Sequence, residues 1–260
     1  MRGMAKGRTW SRDELIVAMN LYCKLPFGQL HHRNPVIIAL ARKLGRTPGS
    51  VAMKLCNLAS LDPVQQARGI SGLSGASAAD RAVWEEFNRD WERLAFESEK
   101  LLAKLDGKLV EAEAGIREDE LPREGLERER VVRQRVNQRF FRTAVLAAYG
   151  GRCCVTSLAV QDLLIASHIV PWAKDKANRV NPRNGLCLNA LHDCAFDRGL
   201  IAFNGKLKVE VSAQLKAAPI EPVTKRFLLD YEGAAIRLPE RFLPDADLLD
   251  WHRRNVFRRS

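Results

Sequence analysis

Three side chains stand at intervals that could serve one reaction. His168 ends the apolar run LLIASHIV, just ahead of Pro171; Asn184 follows sixteen positions on and His192 twenty-four on. An imidazole gains and loses its proton near neutral pH, and its neutral form also ligates metals. A carboxamide does not titrate, but it can hold a neighbour through both a donor and an acceptor. The context is a strand end for His168, a loop for Asn184 and a helix start for His192. Groups of this kind can take a proton from water, hold a neighbouring group in place or bind a metal ion. Taken alone, His168 reads first as a core histidine with a hydrogen-bond partner. The residues that follow it change that reading.

The charge bears on the partner. The chain has 260 residues, 46% of them hydrophobic, with a formal charge of +11 and a pI of about 9.7. A chain this basic meets an anionic polymer or surface, although excess charge also serves solubility. The excess is uneven: net +8 over 1–60, −2 over 61–105, −4 over 106–130 and +9 over 131–260. Two basic blocks around an acidic middle suggest two nucleic-acid-facing units with a spacer. The start, MRGMAKGRTW, lacks the apolar stretch of a secretory signal, and no apolar run is long enough to span a membrane. The expected location is therefore the cytoplasm, with the six cysteines as reduced thiols. None forms a C-x-x-C pair, though Cys153, Cys154, Cys187 and Cys194 could gather around a zinc.

The positioning elements are legible from caps and periodicity. Ser11 and Glu14 form a capping box for a helix reaching Cys23 or Lys24. Asn34-Pro35 starts a second helix, which stops at Gly45, and Thr47-Pro48 starts a third. The short turn between the last two predicts a helix-turn-helix. In it Ala39, Leu40 and Leu44 pack on Val51, Leu55 and Leu58, and Gly49, Ser50, Lys54 and Asn57 face out. The third helix is then a candidate recognition helix. Asn57 would reach base edges, and Arg46 and Lys54 would reach phosphates or guanine, with Ser50 beside them. The LARKLGRTPGSVAMKL stretch and the tryptophan-started first helix resemble Myb-like DNA-binding domains over about residues 8–60.

After the Gly/Ser-rich loop GISGLSGASAAD, Ser77 caps a long helix over about 78–105 with a Val83, Trp84, Phe87, Trp91, Leu94 stripe. Residues 106–130, rich in Glu and Arg, read as a charged linker or exposed helix. RVNQRFFRTAVLAAYGGRC is amphipathic and ends at Gly150-Gly151. DLLIASHIV then reads as a strand, GLCLNALHDCAFD as a strand running into a helix, and GLIAFNGKLKVEVS as a hairpin with a type I′ turn at Asn204-Gly205.

The segment RCCVTSL…ASHIVPW…RVNPRNGLCLNALHDCAFDRGL resembles HNH endonucleases, most of all the restriction-type branch with its S-H-I-x-P-W context. That resemblance implies a ββα-metal finger, two antiparallel strands and a helix gripping one divalent ion. It puts His168 in the role of general base and Asn184 in that of a loop residue holding the base or its backbone. It puts His192 on the metal. Many members carry Asp or His just before the base, where this chain has Ser167. The ion would then draw on Ser167, Asp197 or Asp193, water and phosphate oxygens, which suits Mg²⁺ or Mn²⁺ better than Zn²⁺. Asn189 competes with Asn184, and Asp197 could instead be a structural cap. Lys174, Arg179 and Arg183 could hold phosphates, and His252 reads as a surface or interface group.

The expected fold class is α+β, an N-terminal all-α helix-turn-helix bundle plus a C-terminal ββα-metal HNH domain. The expected divisions are a recognition domain at 1–105, a linker at 106–130 and a nuclease domain at 131–260. The expected function is metal-dependent endonucleolytic hydrolysis of double-stranded DNA, of restriction type, on foreign or modified DNA. With one nuclease motif per chain, a double-strand cut requires a homodimer or two successive nicks. A catalytically inactive DNA-binding regulator is the alternative that Ser167 raises. An RNA-directed nuclease lacks the aromatic single-strand motifs it would need.

Overall fold

Helices in the front half start where a short polar side chain can take up free backbone N–H groups. The computed structural model describes residues 8–69, 75–123, 125–217, 219 and 221–259. Residues 1–7, and residues 70–74 of the Gly/Ser-rich loop, lie outside the described residues. Ser11 and Glu14 cap α1 (Arg12–Lys24) reciprocally, at 3.2 and 2.9 Å. Asn34 caps α2 (Pro35–Lys43) and Thr47 caps α3 (Pro48–Ala59), each with proline as first helical residue. Asp62 caps α4 (Pro63–Ala67), and Ser77 with Asp80 caps α5 (Ala78–Arg89). The single helix expected over 78–105 is broken. Asp90 leaves helical geometry (φ −150°, ψ 76°) and its carboxylate caps a new helix, α6 (Trp91–Leu105).

The segment expected as a linker or exposed helix at 106–130 carries helix and a small core of its own. After α7 (Val110–Glu113) the chain turns back onto α8 (Gly125–Ala148), which already includes residues 125–130. Leu121, Val132 and Val136 form a small core there. The larger core runs continuously from Leu15 in α1 through Phe87 and Trp91 to Phe140, Leu186 and Leu249. α1 packs on α3, α5, α6 and α8. The proposed division at 1–105 and 131–260 therefore does not follow the packing, because α8 is shared by both halves.

The charge blocks have an intramolecular explanation. Acidic groups of the middle fold onto the basic front: Arg12 with Glu86 and Glu97, Lys24 with Glu99, Lys43 with Asp106, Lys54 with Asp80. The acidic middle is thus a partner for the first block rather than a spacer.

The same contacts turn inward the α3 side chains that were expected to face out. Lys54, expected to face out, is buried with its Nζ 2.7 Å from Asp80. Asn57 is buried and donates to the Gly75 carbonyl at 3.1 Å. Arg46 is 6% exposed at its side chain, pairs with Glu14 at 2.8 Å and lies 4.1 Å over the Trp10 ring. Ser50 is half-buried, its amide taken by the Thr47 cap. Asp80 of α5 and Gly75 just ahead of it thus hold the two side chains that were expected to meet a groove. Ala39 is exposed, and Ile37 and Ala41 are buried in its stead.

In the back half, Gly150 and Gly151 end α8 in left-handed geometry (φ 61° and 64°). β1 (Leu164–His168) pairs antiparallel with β2 (Gly185–Asn189), with His168 opposite Gly185 and Leu164 opposite Asn189. α9 (Ala190–Asp197) follows directly. β3 (Ile201–Phe203) and β4 (Val209–Val211) form a second antiparallel pair. Their connection is not the type I′ turn. Gly205 is not left-handed while Leu207 is (φ 55°), and Asn204 Oδ1 accepts from the Lys206 and Lys208 amides. α10 (Ala213–Ala217), α11 (Pro222–Phe227) and α12 (Ala246–Asn255) complete the chain. The architecture is α+β, rich in helix, with two small two-stranded sheets.

Gly185 shows how closely α8 and the first sheet approach. A Cβ at this position would lie 2.3 Å from Val145 Cγ2 and 3.0 Å from Phe141 Cζ. Glycine lets α8 descend until Phe141 reaches His168. Gly185→Ala is expected to cost about 1–3 kcal/mol by overpacking and to slow any reaction that needs His168 held in place. Urea unfolding beside an activity assay measures both; a loss below about 0.5 kcal/mol, the scale of an ordinary surface change, would mean that α8 yields freely.

Candidate active site

His168 is held on three sides. Its Nε2 lies 2.9 Å from the Arg179 carbonyl oxygen. A carbonyl only accepts, so Nε2 carries the proton and Nδ1 keeps the lone pair. The ring stacks on Phe141 with centroids 3.9 Å apart and planes at 10°. Trp172 meets it edge-on at 5.7 Å. Burial holds the imidazole below its usual value, against the smaller opposing effects of the Arg179 carbonyl and the Asp193 charge. The ring is therefore neutral at pH 7, the form a base requires.

Asn184 acts on the backbone just after His168. Its Oδ1 accepts from the Val170 amide at 2.8 Å and its Nδ2 donates to the Val170 carbonyl at 3.0 Å. Its own carbonyl accepts from the Ile169 amide at 2.9 Å. Three hydrogen bonds from one fully buried residue fix the exit of β1. Asn189 does something else: its Oδ1 caps α9 at the His192 amide, 2.9 Å, and its Nδ2 donates to Thr156.

Helix α9 does not present the expected ligand. His192 is buried, its Nδ1 turned back to Asn189 Oδ1 at 3.0 Å and its ring edge-on to Tyr231. Nε2 has no hydrogen-bond partner, and the nearby Phe227 carbonyl lies outside bonding geometry. The cavity beside His168, about 420 Å³, is lined instead by Asp193, Asp197, Ser167 and, from α12, His252. The reason is rotational. Successive helix residues point 100° apart, so His192 shares the core face with Phe196, while Asp193 and Asp197, at i and i+4, share the face toward β1. The i, i+4 carboxylate pair was present in the sequence as a signal. His252 carried none; it is 2% exposed rather than a surface group.

These groups differ in how far they are already satisfied. Ser167 Oγ and His252 Nδ1 are buried without a hydrogen-bond partner. Burial, and secondarily the charge of Asp193, push the Asp197 carboxyl up. Burial takes His252 down to about 4, so it is a neutral imidazole. Two adjacent carboxylates, a hydroxyl and neutral imidazole nitrogen fit a divalent cation that keeps part of its water. Among the described residues no group of three or more His, Cys, Asp or Glu is placed to hold a metal ion by itself, so water and phosphate oxygens would have to supply part of the shell.

The expected phosphate contacts divide. Arg179 forms a two-point ion pair with Glu92 of α6 and lies 5.0 Å from the Trp172 ring, so its side chain braces the loop whose carbonyl holds His168. Arg183 pairs with Asp245 at 3.3 Å. Lys174 is exposed, one turn past cavity-lining Pro171. Cys194 is exposed while Cys153, Cys154 and Cys187 are buried. Burial pushes the Cys187 thiol up to about 12 and raises the Cys154 thiol as well. Two larger clefts, one against α6 and α8 and one beside Trp84, contain none of the cavity residues.

Residues 153–204 match the family model of the HNH endonucleases. The match spans β1, Asn184, β2 and α9, and so includes every cavity-lining residue except those of α12 and Val256. It supports an HNH endonuclease domain in this chain and suggests a nuclease of that family with DNA as substrate. No curated protein matches the chain. No described helix is long and apolar enough to cross a membrane.

Proposed function

We propose that the protein is a metal-dependent DNA endonuclease of restriction type, acting on foreign or modified duplex DNA. The observation that carries this reading is the cavity in which a neutral, three-way-braced His168 meets Asp193, Asp197 and Ser167. His168 Nδ1 takes the proton of the attacking water. Its Nε2–H stays on the Arg179 carbonyl throughout, which fixes the ring plane and leaves only one nitrogen free to react. Asn184 keeps the His168–Val170 backbone from shifting as the imidazole becomes charged. Asp193, Asp197 and Ser167 would hold one Mg²⁺ or Mn²⁺, with water and phosphate oxygens completing its shell. When bound, the ion supplies positive charge to the phosphate and to the departing 3′ oxygen. Lys174 at the rim meets a flanking phosphate. One such site per chain nicks one strand, so a double-strand cut needs two chains or two events. The restriction-type role rests on the S-H-I-x-P-W context and on the basic back half.

A plasmid-nicking assay tests this. Supercoiled DNA is expected to be nicked with Mg²⁺ or Mn²⁺ and left intact in EDTA. Undiminished cutting in EDTA removes the metal from the mechanism. DNA binding without cutting under any divalent ion makes the chain a regulator on an HNH scaffold. Cleavage-end sequencing on modified and unmodified DNA then reads the target.

A further inference from the structure

We propose that His252, on α12 and outside the segment that matches the HNH family, supplies the nitrogen ligand of the metal site in place of His192. The inference rests on the metal-dependent reading above. His252 Nε2 lies 3.0 Å from the Phe196 carbonyl oxygen, so that nitrogen carries the proton and Nδ1 holds the lone pair. The ring stacks on Phe196 at 3.7 Å with planes 4° apart. Nδ1 is buried, has no hydrogen-bond partner, and belongs to a ring that lines the cavity with His168, Asp193 and Asp197. A buried lone pair left unused is costly unless a ligand takes it. A nitrogen anchored through its other ring atom is the usual state of a metal-binding imidazole, whose second nitrogen donates to a carbonyl or carboxylate. His192 has the mirror arrangement, Nδ1 held by Asn189 Oδ1 and Nε2 buried without a partner, and what separates the two imidazoles is that His252 lines the cavity and His192 does not.

The fold holds α12 where this requires. Asp245 caps the helix, and the Asp245 amide donates to the Arg183 carbonyl at 3.0 Å, tying its start to the Asn184 loop. At its other end, Gly199 (φ 68°) lies so close that a Cβ would be 2.0 Å from the Val256 carbonyl oxygen, and the Arg258 amide donates to the Gly199 carbonyl at 3.0 Å. Gly199 closes the turn after α9. The helix carrying Asp193 and Asp197 and the helix carrying His252 are thus locked together through one residue.

The test uses the full chain and Mn²⁺ as probe. His252→Gln keeps an N–H that can reach the Phe196 carbonyl while removing the Nδ1 lone pair; His192→Gln is the comparison. Circular dichroism and thermal melts establish that both variants fold. Calorimetric titration is expected to show Mn²⁺ binding at least about 10–100-fold weaker in His252→Gln, the loss usual for removing a group that only supports a ligand, with His192→Gln within about threefold of the parent. The electron spin-echo spectrum of bound Mn²⁺ is expected to contain a histidine nitrogen coupling in the parent and in His192→Gln that His252→Gln lacks. Should His252→Gln unfold, His252→Leu, which fills the site without a donor atom, carries the same two measurements. Binding and coupling unchanged in the folded His252 variant, or lost in His192→Gln instead, overturn the assignment while the metal-dependent reading stands. Absence of Mn²⁺ binding by the parent overturns both.

Discussion

His168→Ala is expected to nick DNA about 10²–10⁴-fold more slowly than the parent, the usual cost of losing a positioned general base. Duplex binding and thermal stability should change little by comparison. His168 is half-buried. The Arg179 carbonyl loses one donor and Phe141 loses a stacking partner. Single-turnover nicking at saturating Mg²⁺, with binding measured in parallel, separates chemistry from affinity. A variant that cuts at near-parental rate would remove His168 from the chemical step. The reaction would then have to use a base from the same cavity, and the Asp193→Asn and Asp197→Asn variants would identify it.

Asp80→Ala is expected to produce the largest loss of stability of any single change in the front half, about 3–5 kcal/mol, because it leaves the buried Lys54 ammonium without its counter-charge. The same carboxylate also accepts from the Ser77 amide at 2.9 Å, so the cap of α5 goes with it. Denaturant unfolding measures the change directly. The melting temperature should fall by about 2–4 °C per kcal/mol for a chain of this size. Replacing both partners, Lys54→Met with Asp80→Leu, should recover much of the loss, since the penalty lies in the unpaired charge rather than in the absence of the pair. A small effect of Asp80→Ala would mean that Lys54 can reach water, and α3 would regain an open face. Because Lys54 and Asn57 are engaged within the fold, their replacement should act first on stability and only through it on DNA affinity.

Local chemistry was legible in the sequence. Ser11, Asn34, Thr47 and Ser77 mark helix starts because a capping side chain and the amide it satisfies are two or three residues apart. The strand–loop–helix order around His168 and Asn184 was legible for the same reason: alternation, turn residues and a cap lie within one short window. What stayed hidden was orientation and partnership over distance. A helix presents a different side chain every 100°, so the choice between His192 and the Asp193–Asp197 pair depends on which face of α9 the rest of the chain covers. Tyr231 and Phe196 settle it by packing. The outward face predicted for α3 was lost in the same manner, to Asp80 of α5, twenty-six residues from Lys54. Opposite charges far apart in sequence attract once folding lowers the dielectric around them, so the basic first block and the acidic middle became one paired interface, while the basic back half kept its excess. His252 meets the Phe196 carbonyl across fifty-six residues. Sequence periodicity does not encode a contact of that span, and only the close approach of α12 to Gly199 brings the second imidazole to the cavity.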